Sequence, residues 1–166
     1  SGGALGQGIM LVFPAHMKKL LELDTGKGTV TVQPGINYMT LQNTLHTHGR
    51  FLPPYPSSID YATIGGAIGN NTAGEKSIKY GSTVEYVKGL DVVLANGELI
   101  HTARLSKREL NRKKGLTSFE GEIYRQLDTL IDENQEVIKK LERNVSKNTA
   151  GYNLAAVKTD KGFDLT

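Results

Sequence analysis

The chain has 166 residues, 38% apolar and 22% charged, with 20 basic against 17 acidic side chains and a net charge of +3. These values describe a globular chain able to bury one core and argue against a disordered polymer; no apolar run approaches the roughly 20 residues a bilayer helix needs. The absence of cysteine removes disulfides and thiolate metal sites from the segment and suits a reducing compartment, and the basic excess is too small to argue for nucleic acid.

Residues Ser1 to Gly8, SGGALGQG, read as the tail of a glycine-rich turn, and GFDLT at the other end stops without a cap, so a fragment is expected at both ends. The apolar run Gly8 to Phe13, GIMLVF, is expected to be a buried strand bounded by Gly8 and Pro14. Thr29 to Gln33 is β-branched and alternating, hence a strand, and the turn residues of DTGKG from Asp24 to Gly28 fold Leu20 to Asp24 back on it as a hairpin. After Pro34 and Gly35 a helix is expected, with Ile36, Tyr38, Met39, Leu41 and Leu45 on its apolar face and Gly49 as its C-terminal cap. His46 and His48 resemble a metal pair only by type. Residues two apart diverge on a helix and no third ligand is near, so they are read as solvated residues at the helix's negative end.

The stretch Pro53 to Gly81, PPYPSSIDYATIGGAIGNNTAGEKSIKYG, differs from everything around it. Two prolines flank Tyr55, Gly65 and Gly66 are adjacent, and Gly69 and Gly74 follow among Ser, Thr and Asn. Glycine admits a ligand close to the backbone, and short hydroxyl and amide side chains supply hydrogen bonds without filling the space. The expected structure is a neutral cradle for a polar, phosphorylated ligand, with Lys76 and Lys79 its nearby positive charges; the competing reading is a ligand-free glycine-rich loop.

Beyond it, Val84 to Leu94 and Glu98 to Thr102 read as strands joined by a primed turn at Asn96 and Gly97. His101 in the second strand is given no role. Lys107 to Lys114 holds five basic residues in eight and is expected to be a solvated loop. Thr117 and Glu120 form a predicted capping box, followed by an apolar stripe of Ile123, Leu127, Leu130 and Ile131 that resumes at Ile138 and Leu141, as one kinked helix or two. Tyr152 and Leu154 are expected to anchor the turn-rich end.

VQPG at Val32 to Gly35, PPYPSS at Pro53 to Ser58, ATIGGAIGNNTAGEKSIKYG at Ala62 to Gly81 and GLDVVLANGELI at Gly89 to Ile100 together resemble the PCMH-type FAD-binding domain of FAD-linked oxidases in the vanillyl-alcohol oxidase superfamily. The nearest likeness is to the flavin subunits of glycolate oxidase and D-lactate dehydrogenase. The resemblance implies an α/β (α+β) fold of two subdomains with FAD between them. Residues 1–35 would be the remainder of the first subdomain with its crossover, and 36–166 the second subdomain, a mixed or antiparallel sheet flanked by helices. It implies cofactor contacts at Pro56, Ser57, Ser58, Thr63, Gly65, Gly66, Asn70, Asn71, Thr72 and Gly74, with SGGAL at Ser1 to Leu5 as the trailing end of a pyrophosphate loop.

Two positions depart from the family pattern: Thr72, Ala73 and Gly74 stand where many relatives have Ala-Gly-Gly, and Tyr55 where many have Asp. The implied activity is oxidation of a D-2-hydroxy acid in the cytoplasm by hydride transfer to FAD. The substrate-binding and catalytic residues would lie in the remainder of the parent chain, so no catalytic residue and no metal ligand is assigned here. An enolpyruvyl reductase-like flavin domain and a non-catalytic nucleotide-binding or docking module are the alternatives. Self-association of the segment is expected, and neither nucleic acid nor a membrane span is.

Overall fold

The structure, a computed structural model, describes residues 6–141, 145 and 151–166. The chain folds as two compact units, Ser1–Tyr86 and Val87–Thr166, each mixing short helices with an antiparallel hairpin. Ser1 to Leu5 lie outside the described residues, as does the side chain of Leu141.

In the first unit, β1 (Leu20–Asp24) pairs antiparallel with β2 (Thr29–Val32), with a register shift between Leu20 and Glu22. The turn closes where the Asp24 carboxylate accepts from Lys27 N at 2.9 Å. The expected hairpin is present. The expected strand at 8–13 is not: Ile9 is 94% and Leu11 72% exposed, and Phe13–His16 instead forms a single helical turn (α1) led by Pro14. A strand exists only as part of a ladder, and among the described residues no sheet edge pairs with this run.

Helix α2 (Tyr38–Thr47) starts where the Asn37 side chain accepts from Thr40 N at 3.0 Å, and Gly49 just beyond its end takes a φ of +66°. Its buried face is Tyr38, Leu41, Gln42 and Leu45, with Met39 only half-buried. The two apolar positions Leu41 and Leu45 lie one turn apart and join Ile36, Tyr38, Ile64 and Ala67 in a core that Leu23, Val30 and Val32 of the hairpin flank. His46 is exposed, and His48 Nδ1 lies 3.1 Å from the Thr44 carbonyl oxygen, a helix-end arrangement. Two short helices follow in the same unit, α3 (Ile64–Gly69) and α4 (Ser77–Tyr80).

The second unit carries β3 (Gly89–Val93) and β4 (Leu99–Ala103), paired antiparallel over their full length. Their loop is a three-residue one. Leu94 N donates to Glu98 O at 2.8 Å, Gly97 N to Leu94 O at 2.9 Å, and only Gly97, at φ +87°, is left-handed. A type I turn closed by a left-handed glycine replaces the expected primed turn, which would need positive φ at Asn96 as well.

The basic stretch is a helix, not a loop. Helix α5 (Lys107–Lys114) opens on a reciprocal capping box between Ser106 and Glu109, and buries Leu110. Helix α6 (Phe119–Glu133) is capped by Ser118, one residue later than expected, and the carboxylate of Glu98 accepts from the N–H groups of Phe119 and Glu120, both at 3.3 Å. The helix ends at Asn134, whose amide donates to Leu130 O at 2.8 Å, and α7 (Gln135–Leu141) follows, so the stripe is two helices. Tyr124 and Ile131 lie at its centre, whereas Leu130 is 45% exposed.

The last turn α8 (Leu154–Val157) leads into the two-residue strands β5 (Lys158–Thr159) and β6 (Gly162–Phe163). Phe163 exchanges both backbone hydrogen bonds with Leu105 and sits fully buried beside Tyr124. Tyr152, expected as an anchor, is 96% exposed; Leu154 is half-buried. Helices with small antiparallel sheets make this an α/β fold of the kind the resemblance implied.

Candidate cofactor-binding site

Residues Pro53 to Gly81 lie wholly in the first unit and are positioned by α2. Gln42, a buried amide on the apolar face, donates through Nε2 to Leu52 O at 2.9 Å and accepts from Leu52 N at 2.8 Å, pairing with the backbone as a strand neighbour would. Asn37 uses its other amide atom to donate to Asp60 O at 2.7 Å. A backbone bridge between Asn37 and Thr63 then sets the start of α3 (Ile64–Gly69), where Thr63 Oγ1 accepts from Gly66 N at 3.1 Å.

The segment is a loop out, a short helix and a loop back. The outgoing leg rests on Pro53 and Pro54, both buried. Ser57 and Ser58 follow at the surface, and among the described residues neither hydroxyl has a protein partner. In the returning leg, Asn70 Nδ2 donates to Gly66 O at 2.8 Å, and Asn71 adopts a φ of +43° with its Oδ1 accepting from Val84 N at 3.0 Å. The Thr72 carbonyl accepts twice from the buried Thr83, from N at 3.0 Å and from Oγ1 at 2.7 Å.

Two glycines hold the legs where they are. A Cβ on Gly74 would lie 1.8 Å from the Tyr55 carbonyl oxygen, so only glycine lets the returning leg cross the outgoing one. A Cβ on Gly65 would meet Pro34 Cβ at 2.7 Å, and the Gly65 N–H donates to Pro34 O at 2.8 Å.

The ten sequence-expected contact residues therefore separate into two groups. Thr63, Gly65, Asn71, Thr72 and Gly74 spend an atom or their lack of a side chain on the frame, with Pro56 half-buried at the Gly74 crossing. Ser57, Ser58, Gly66 and Asn70 are exposed along it, and of these Gly66 and Asn70 also bond within the frame, through Gly66 N to Thr63 Oγ1 and Asn70 Nδ2 to Gly66 O. Asn37, Gln42 and Thr83 went unnoticed in the sequence. The only available signal was a glutamine on the buried face of an otherwise apolar stripe.

Charge at the rim is sparse. Asp60, Glu75, Lys76 and Lys79 are all exposed. The Tyr55 hydroxyl beside Lys76 holds that ammonium above the usual lysine value, against a small opposing effect of burial. Deeper in, burial pushes the Tyr38 phenol far above its ordinary range. Among the described residues no cluster of three metal-ligating side chains exists.

A family model described as "FAD binding domain" matches residues 1–103, more than half of the chain and all of the cradle. This chain belongs to that FAD-binding family. Similar proteins agree with the assignment. The FAD domain is 46% identical over 95 residues to the glycolate oxidase subunit GlcD of Bacillus subtilis, a match covering 57% of this chain and 20% of that protein. It is 31% identical to the D-2-hydroxyglutarate dehydrogenase of Escherichia coli over 100% of this chain and 16% of the relative. It is also 35% identical to a D-lactate dehydrogenase of Anaerostipes hadrus over 60% of this chain and 21% of the relative. The chain thus spans about a fifth or less of each of these relatives.

The donor set suits FAD. Unengaged serine hydroxyls and the exposed Oδ1 side of the Asn70 amide, beside a glycine that admits close approach, match a ligand made of phosphates, ribityl hydroxyls and ring heteroatoms. Ser57, Ser58, Gly66 and Asn70, presented by the frame described above, are residues that could hold it.

Proposed function

We propose that this chain is the FAD-holding part of a flavin-dependent oxidoreductase that oxidises a D-2-hydroxy acid of the glycolate or D-lactate type. The observation that carries the reading is the coincidence of the FAD-binding family match with a frame whose exposed groups are neutral, the unengaged hydroxyls of Ser57 and Ser58 beside Gly66 and Asn70. The names of the three relatives given above, a glycolate oxidase subunit, a D-2-hydroxyglutarate dehydrogenase and a D-lactate dehydrogenase, support the substrate class.

Bound FAD supplies a hydride acceptor to such an enzyme. The chain's own residues bind and orient. Asn71 and Thr83 fix the returning leg, Gly74 sets its distance from Tyr55, and the exposed serines offer hydrogen bonds to the ligand. The base that takes the hydroxyl proton and the groups that hold the acid belong to the remainder of the parent chain. We assign residues 1–35 to the remainder of the family's first subdomain and 36–166 to its second. The cytoplasm is the proposed location. The exposed apolar run at Ile9 to Val12 supports self-association of the isolated segment, to be read from its elution volume against concentration.

The test is flavin titration by fluorescence and absorbance on this chain beside the full-length protein. Binding by either supports the reading, and binding by neither removes it in favour of a non-catalytic module. In the full-length enzyme, Asn71→Ala and Gly66→Val are expected to lower turnover with glycolate or D-lactate. Unchanged turnover in both would overturn the site. Activity on an enolpyruvyl substrate with a nicotinamide reductant would favour the reductase alternative.

A further inference from the structure

One cation in the first unit is held in place by something other than a carboxylate. Lys76 Nζ lies 5.4 Å from the centroid of the Phe51 ring and 5.2 Å from that of Tyr55. Among the described residues it has no acidic partner within ion-pair distance. Glu75, its neighbour in sequence, instead accepts the Tyr55 hydroxyl at 3.2 Å. Phe51 is braced in turn by the edge of Tyr80, at 5.8 Å and 88° between rings.

Two aromatic rings attract an ammonium and restrict its four-carbon stem, and the Tyr55 hydroxyl beside it engages at most one of its three N–H donors, where a carboxylate would neutralise the charge. The charge is thus set in advance, part of the ordering entropy of a free lysine is already spent, and the remaining donors are available to an anion. Its place connects it to the cradle from both sides. Tyr55 leads directly into Pro56, Ser57 and Ser58, and the carbonyl of Tyr55 is the atom against which Gly74 packs. Lys79, by contrast, lies 5.1 Å from its own neighbour Tyr80 and has no ring contact with the outgoing leg.

We propose that Lys76, held by Phe51 and Tyr55, is an oxyanion-binding residue of the cradle. The anion is either a phosphate of FAD or the carboxylate of the hydroxy acid, and the inference rests on the FAD reading given above.

The experiment compares the full-length protein with its Lys76→Met, Lys76→Arg and Phe51→Leu variants, by flavin fluorescence, against FAD, against riboflavin, and against FAD with glycolate added. Loss of about tenfold in FAD affinity, with riboflavin unaffected and partial recovery in Lys76→Arg, identifies the phosphate. Unchanged FAD affinity with a weakened glycolate-induced change in the flavin spectrum identifies the carboxylate. In either case Phe51→Leu is expected to show the same defect in smaller measure. Because Lys76 is exposed, its variants are expected to keep the parent's melting temperature. If Lys76→Met matches the parent in every arm while Asn71→Ala binds FAD more weakly, the lysine assignment is overturned and the cradle stands. If the parent itself binds no flavin, both fall together.

Discussion

The cradle of the first unit and the α5–α6 layer of the second are built on opposite plans. The α5–α6 layer is held by side chains reaching outwards. Lys113 meets Glu120, Lys114 meets Asp128, Lys158 bridges Asp128 at 2.7 Å and Asp132 at 2.6 Å, and Arg125 donates to the carbonyls of Lys114 and Leu116, both at 2.6 Å. The cradle is held by the absence of side chains, with glycine at its tightest crossings and short polar groups bonding to backbone. A scaffold can use long charged side chains wherever their heads reach water. A ligand site must keep its own volume empty, and so it is framed from its backbone.

The sharpest way to break this contrast is to add atoms to the cradle. Gly74→Val places a branched side chain where a single Cβ would already overlap the Tyr55 carbonyl, and a loss of about 3 kcal/mol is expected. Urea unfolding would measure it, with FAD affinity lost in parallel.

Removing atoms from the layer should do less, and to a different property. Asp128→Ala leaves Lys114 and Lys158 without their shared partner, at a cost of about 2 kcal/mol, while FAD affinity stays at the parent value. The same carboxylate makes the layer sensitive to acid. Burial raises the Asp128 pKa, but the hydrogen bonds from Lys114 and Lys158 outweigh it and hold the group below its ordinary value, and Lys158 does likewise for Asp132. A depressed carboxylate contributes stability that is complete above the unfolded pKa and lost as pH falls through the folded one, so the loss is expected below about pH 4. Circular dichroism between neutral pH and acid should show this transition, and Asp128→Ala should flatten it.

The smallest effect expected is that of Ser106→Ala. It removes a cap from a helix that is also anchored through Leu110 and two ion pairs, and about 1 kcal/mol should be read from the thermal midpoint.

The elements with a clear hydrophobic period were legible in the sequence. The alternation of Thr29 to Val32 and the spacing of Leu41 and Leu45 gave the first hairpin and α2, because side-chain direction repeats with the backbone. Helix α5 escaped because only Leu110 faces inwards among its charges, although the Ser106 and Glu109 spacing was a start signal. The run at Ile9 to Val12 misled because a continuous apolar segment says nothing about whether a ladder partner is within reach.

In the cradle, residue types marked the region that folds as one frame, and the FAD-binding family agrees with the expected cofactor. Residue types did not separate frame positions from exposed ones. That division depends on contacts between residues distant in sequence, Gly65 with Pro34, Gly74 with Tyr55 and Gln42 with Leu52, which leave no periodic trace.

The two buried tyrosines have a practical consequence for spectroscopy. The chain contains no tryptophan and seven tyrosines, and each unit encloses one of them completely, Tyr38 in the first and Tyr124 in the second, with neither hydroxyl hydrogen-bonded among the described residues. Exchanging either ring for phenylalanine removes an unpaired oxygen and little else. The Phe pair of variants would therefore silence one buried ultraviolet chromophore at a time, and the melting of the half that carries the cradle could be distinguished from that of its neighbour in a single cuvette.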